Sequence, residues 1–230
     1  MINDVISYVE MCRREGQSLQ RGMNFSLSGL YSVILMSVRP NAPYRDRFEN
    51  GGFILIYEGH DLSRSATVPD PKRLDQPEKS VFGKLTENGK FFQAAAAFKR
   101  GEGEARRVRV YEKIKEGIWS YNGLFRLVDA WNESDGQRMV FKFKLEADLE
   151  SDEVMLYAQA ALEERRRVIP SQVKVEVWKR DKGQCVICGA QDELHFDHVV
   201  PYSKGGTSAK AMNVQLLCAR HNLSKSDKIL

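Results

Sequence analysis

The chain has 230 residues, 42% of them hydrophobic and 29% charged, with a formal net charge of +4. That balance excludes a disordered chain, allows one or two domains, and permits nucleic-acid binding without arguing for it. No apolar run approaches the ~18 residues of a membrane span, and MINDVISYVE lacks a basic stretch followed by an apolar one. Four cysteines are too few for a disulfide scaffold and suit a reducing cytosol. The expectation is therefore a cytoplasmic protein with no membrane partner.

In chain order, Ile2 to Gln20 reads as a helix, because Val5, Ile6, Tyr8, Val9 and Cys12 recur at helical spacing with charges between them. From Asn24 the pattern changes to short apolar runs broken by turns. LYSVILMSV (30–38), FILIYEG (53–59), RRVRVYEKI (106–114), GLFRLVDAWNE (123–133) and RMVFKFKLE (138–146) all read as strands. VRVYEKI and MVFKFKL alternate, one face apolar and the other cationic or polar. Gln93 to Lys99, with its alanines, predicts a short helix. Residues 1–146 should thus form a mostly β domain with flanking helices, closer to a barrel than to a βαβ sheet.

Residues 147–170 read as a helical linker. Asp148 to Arg167 begins acidic and ends basic, which complements a helix dipole, and Pro170 stops it. Arg165, Arg166 and Arg167 fit either a solvated face or a contact with phosphates. Val173 to Asp181 predicts a further helix that opens a C-terminal domain, residues 171–230. Leu194 to Val200 is an apolar, strand-like run that Pro201 ends and Gly205-Gly206 follows as a turn. Asn213 to Leu217 is a second strand, and a polar helix with Asn222 and Lys225 comes after it.

Two knuckles bracket that unit: Cys185-Val-Ile-Cys188 and Cys218-Ala-Arg-His221. Two-residue spacing lets one tight turn aim both side chains at the same ion, and four soft or borderline donors suit Zn²⁺ better than a hard cation. Cys12 is left over as a plain thiol. Between the knuckles, alternation along HFDHVV sends Asp197 and His198 to opposite sides of an ideal strand. A bulge or the strand end would have to bring them to one site. His195 fits either a phosphate contact or a plain strand residue.

The sequence D-H-x-x-P, G-G, then N-x-x-x-L-C-x-x-H-N-x-x-K resembles the HNH (ββα-metal) nuclease family over about the last 60 residues. The resemblance implies His198 as general base, Asp197 as a ligand of a catalytic divalent cation (Mg²⁺ or another), and Asn213 as the residue that fixes the loop carrying the histidine. Two assignments stay open at the end of the motif. Either His221 completes the zinc site and Asn222 joins Asp197, or His221 serves the catalytic cation and zinc keeps three cysteines.

Upstream, LYSVILMS, PYRDRFENGG, FILIYEGHD, Leu74-Asp75-Gln76, RRVRVYEKI and Tyr121-Asn122-Gly123-Leu124 follow one another in an order that resembles an SRA (SET- and RING-associated, or YDG) domain. One departure is visible: the signature Tyr-Asp-Gly is Tyr121-Asn122-Gly123 here. The resemblance implies a curved (PUA-like) barrel that flips a modified cytosine out of duplex DNA. A flipped base needs aromatic faces and partners for its Watson–Crick edge, and Tyr44, Asp46, Tyr57, Glu58 and Gly59 are the candidates.

The expected fold is therefore α+β: an SRA-like barrel, a helical linker and a zinc-stapled HNH domain. The expected function is modification-dependent cleavage of double-stranded DNA carrying 5-methylcytosine or 5-hydroxymethylcytosine, as in prokaryotic restriction. A single HNH site cuts one strand, so a double-strand break implies a homodimer. The alternatives are a non-catalytic zinc-containing DNA-binding protein and an HNH nuclease of other nucleic-acid specificity.

Overall fold

A computed structural model describes residues 2–27, 29–148, 169–201, 204 and 206–225. The helix expected over 2–20 divides. Its first part is strand β1 (Asp4–Ser7) and its second a helix of two turns, α1 (Tyr8–Glu15). Ser7 makes the junction: its Oγ accepts a hydrogen bond from the Glu10 N–H at 3.1 Å, satisfying a helix donor that has no partner within the helix. Gly16, at φ +69°, ends the helix in the left-handed conformation. Val5 and Ile6 are both buried, but in different hydrophobic clusters. Consecutive apolar residues facing opposite ways is a strand pattern, which the tyrosine and valine of the following helix disguised.

Next come β2 (Met23–Leu27), β3 (Tyr31–Met36), β4 (Arg47–Glu49) and β5 (Ile54–Glu58), then α2 (Glu87–Lys99), β6 (Arg106–Lys115), β7 (Ile118–Ser134) and β8 (Met139–Ala147). The C-terminal module holds α3 (Ser171–Arg180), β9 (Leu194–His198), β10 (Val214–Cys218) and α4 (Ala219–Lys225). The predicted linker helix and Arg165 to Arg167 fall outside the described residues, apart from Asp148 at the linker's start. No helix among the described residues is long and apolar enough to cross a membrane.

The strands form one large mixed sheet ordered β10-β9-β1-β7-β6-β3-β2, with β8, β5 and β4 branching from β7. The length of β7 makes the branch possible. Its residues 118–120 pair with β1 and 118–127 with β6, while 125–134 pair with β8. Register shifts at Val110/Tyr111 and Leu127/Asp129 mark where the sheet bends. The curled β domain closes on α2, whose Phe91 and Ala95 pack with Met23, Leu55, Phe125 and Phe143. Burying each such phenylalanine stabilises the fold by roughly 1.5–3 kcal/mol.

Candidate functional site

At the C-terminal end, β9 and β10 pair along their whole length, from Leu194↔Cys218 to His198↔Val214. Cys218 therefore leaves β10 at the sheet's end, and α4 brings His221 back beside it. The first knuckle is fastened to the same strand, because the Val186 N–H donates to Leu216 O at 3.0 Å. Gly189, at φ +74°, turns the chain so that its N–H reaches Cys185 O at 2.8 Å. The four donor atoms of Cys185, Cys188, Cys218 and His221 lie within 4.8 Å of one another. Cys188 Sγ is 3.8 Å from Cys218 Sγ, and His221 Nδ1 is 3.4 Å from Cys185 Sγ and 3.3 Å from Cys218 Sγ. Zn–S bonds of ~2.3 Å imply a sulfur–sulfur edge of about 3.8 Å in a tetrahedron. The cluster fits zinc, and His221 belongs to it.

The other end of the hairpin carries Asp197 and His198. Pairing is regular up to His198, so no bulge intervenes; the strand simply ends there. His198 Nε2 lies 2.8 Å from Ser208 Oγ. Burial, together with the Lys225 ammonium, holds its pKa below the ordinary value against the pull of Asp197. Asn213 spans the loop: its Oδ1 accepts from Val200 N–H at 2.9 Å, and its Nδ2 donates to Val200 O and Thr207 O, each at 3.1 Å. Gly206 has to be glycine there, since a Cβ would lie 1.9 Å from Val200 O and 2.7 Å from Asn213 Nδ2. Asp197 reaches across to α4, where Lys225 Nζ sits 2.9 Å from its Oδ2. Asn222 is half-buried on the same helix, three residues before Lys225.

In the β domain, a cavity of about 580 Å³ is lined by Tyr44, Asp46, His60, Arg21, Lys113 and Trp119, among others. Tyr44 stacks on His60 with centroids 4.8 Å apart and planes 9° from parallel, and Lys72 Nζ lies 4.2 Å from the Tyr44 centroid. Asp46 is 9% exposed and accepts from the N–H groups of Glu58 (3.0 Å) and Ser37 (3.1 Å). Burial outweighs those bonds and pushes its carboxyl up to about 7. Burial likewise pushes His60 down to about 4, so the ring stays neutral near pH 7. Gly22 makes room for that ring, because a Cβ there would be 2.6 Å from His60 Cε1.

Residues 185–228 match the family model described as HNH endonuclease. That HNH segment contains both knuckles, β9, β10 and α4. No curated protein matches the chain. Among solved structures it is similar to the SUVH5 SRA–hemi-methylated CG DNA complex, at 25% identity over 64% of this chain and 88% of that one, TM-score 0.43. SUVH5 SRA bound to fully hydroxymethylated CG DNA matches at 22% identity over the same shares, TM-score 0.41. KRYPTONITE in complex with mCHH DNA, H3(1-15) peptide and SAH matches at 14% identity over 65% of this chain and 32% of that one, TM-score 0.42.

Within the HNH segment, Asp197, His198 and Asn213 gather at one end of the hairpin and the Cys185, Cys188, Cys218 and His221 cluster at the other. His195 is buried and turned to Asp4, 2.9 Å from Nδ1 to Oδ1. Of the five cavity candidates, Tyr44 and Asp46 line the space. Tyr57 stands behind it: its ring is fully buried and its hydroxyl lies 2.7 Å from His60 Nε2. Glu58 is buried against Lys142 Nζ at 2.8 Å. Gly59 packs so closely that a Cβ would lie 2.7 Å from both Asn88 and Gln76. The sequence reading missed His60, although it directly follows the Glu58-Gly59 pair, and gave no role to Lys225 or Ser208.

Proposed function

We propose that the chain is a modification-dependent DNA endonuclease, with the β domain as reader and the HNH segment as cutter. The observation that carries the nuclease half is Asn213, which holds the loop after His198 by three hydrogen bonds while Asp197 stands next in the strand. A catalytic imidazole must be held rigidly if it is to act on a water rather than wander. A neutral His198, oriented by Ser208, takes the proton from the attacking water. Asp197 and Asn222 would hold a divalent cation, Mg²⁺ or another, whose chemistry when bound is to neutralise charge on the scissile phosphate and the leaving oxygen. Cys185, Cys188, Cys218 and His221 hold zinc in a structural part, fastening α4 to the hairpin.

The cavity supports the reading half. Its volume falls in the ~300–1,000 Å³ range of small-ligand sites, and it is lined by the stacked Tyr44 and His60 rings, a carboxyl on Asp46 and cations on Arg21 and Lys113. Those are the groups a base turned out of the stack needs. The substrate is duplex DNA with 5-methylcytosine or 5-hydroxymethylcytosine, and a double-strand break requires two chains. The deciding experiment digests one duplex sequence carrying cytosine, 5-methylcytosine, 5-hydroxymethylcytosine or its glucosylated form, with and without EDTA. Equal cutting of all four overturns the reader; cutting that EDTA leaves intact overturns the cation.

A second reading, a non-catalytic zinc-containing DNA-binding protein, draws on the Lys225–Asp197 ion pair, which puts a cation on the carboxylate meant for the metal. Failure of every duplex to be cut with Mg²⁺ or Mn²⁺ present, despite selective binding, would favour it.

A further inference from the structure

The two modules share a strand. One edge of β1 pairs with β7 (Val5↔Ser120, Ile6↔Trp119, Ser7↔Ile118) and the other with β9 (Asp4↔His195, Val5↔Leu194). Side chains follow the backbone. Val5 is buried in the HNH segment's cluster with Leu194, Phe196 and Leu216, and Ile118 packs against it. Asp4 joins His195, 2.9 Å away, to Arg14, 2.8 Å away. Burial alone would raise the Asp4 carboxyl; the bonds from His195 and Arg14 help hold it at about 2.

A second tie lies on the α3 side. Lys174 is 0% exposed, and its Nζ lies 2.6 Å from Asn122 Oδ1 and 3.1 Å from Glu112 Oε2. Asn122 Nδ2 donates to the same Glu112 oxygen at 3.1 Å, closing a buried triangle. This accounts for the departure from Tyr-Asp-Gly. An ionised aspartate at 122 could not donate to Glu112, and it would set two carboxylates together in a site with one ammonium.

We propose that β1 and Lys174 lock the cutter onto the reader as one rigid body, so that the distance from the base read to the bond cut is set by this contact and not by residues 149–168. The proposal rests on the reading given above for the two modules. Lys174 is a positioning residue: it cannot leave its place without abandoning a buried Glu112 carboxylate, and a buried ion pair best serves to fix register. β1 adds backbone bonds on both edges, so sliding the cutter by one residue would turn Leu194 and Phe196 to the wrong face.

The test places a specific protease site within residues 149–168 of the full chain and cleaves it. Co-elution of the two pieces at the full-length position on gel filtration is expected; separation at micromolar concentration overturns the proposal. Lys174→Met combined with Glu112→Gln, which leaves no lone buried charge, should make the nicked pieces part at concentrations at least tenfold higher than the parent. No change there removes Lys174 from the proposal. In the uncut protein, ten flexible residues inserted into 149–168 should leave one cut position relative to a single modified cytosine. A cut that spreads or moves with the insertion overturns it. If neither protein prefers modified DNA, the functional reading fails while co-elution still decides the coupling.

Discussion

Lys225 Nζ lies 2.9 Å from Asp197 Oδ2, and the lysine is 1% exposed. An ammonium so placed competes electrostatically with any cation that approaches this carboxylate. Lys225→Met keeps the length of the side chain and removes the charge. Affinity for Mn²⁺ without DNA should then rise on the order of tenfold, about 1.4 kcal/mol, read by electron paramagnetic resonance titration. An unchanged or weaker affinity would mean that Lys225 does not stand in the cation's way.

His198→Ala should lower cleavage roughly 10²–10⁴-fold, the usual cost of a lost general base, and leave DNA affinity nearly unchanged. Ser208→Ala should cost less, since it loosens the ring without removing it. Comparable losses in DNA binding by gel shift would reassign His198 to holding the duplex.

Protein purified without added metal should contain about one zinc per chain if the cluster is a four-ligand structural site. Cys218→Ala should unfold α4 and the hairpin, seen as the loss of protection from hydrogen exchange over residues 194–225. Well-folded protein free of zinc by elemental analysis would refute the assignment.

The two tyrosines should part company. Tyr44→Ala should weaken binding to a modified duplex roughly ten- to hundredfold, the worth of one base stack at about 1–3 kcal/mol, with little effect on melting. Tyr57→Ala should instead cost roughly 3–5 kcal/mol of stability, as for other large buried aromatic side chains. Tyr57→Phe, which loses only the hydroxyl on His60, should be mild. Competition binding and thermal melts together distinguish these outcomes.

Asp46 sets a pH dependence. Its carboxyl titrates near 7 when folded and near 3.8 when unfolded. The folded state therefore holds more protons between those values, and stability falls as pH rises from about 4 to about 7. Asp46→Asn cannot titrate, and it leaves one of the two N–H groups without its acceptor. It should thus be less stable than the parent at pH 5, with the gap narrowing by pH 8. Urea denaturation at both pH values is the check; a gap that widens refutes it.

Much of the fold was legible where one element carried its own signal. VRVYEKI and MVFKFKL alternate because one face of each strand meets the core, and β6 and β8 begin and end within a residue or two of the expected bounds. The gathering of Cys185, Cys188, Cys218 and His221 was legible because knuckle spacing is local. What escaped depends on partners far away in sequence. β1 was hidden because its two edges are used by strands more than a hundred residues on. His60 went unremarked because its place comes from Tyr57, Tyr44 and the gap at Gly22. That His221 sits among the three cysteines needed the direction of an imidazole, which no spacing encodes.

The placement of β1 also bears on how the chain is made and how it is divided. The edge that Asp4 and Val5 offer to β9 has no strand to receive it until Leu194 and His195 have left the ribosome. Between the completion of β8 and the arrival of β9 the β domain therefore carries an open strand edge beside the apolar Val5 and Ile118, a combination that invites pairing with another chain. A fragment ending at residue 146, however complete its cavity, keeps that edge open permanently. Its solubility is what the missing hairpin protects.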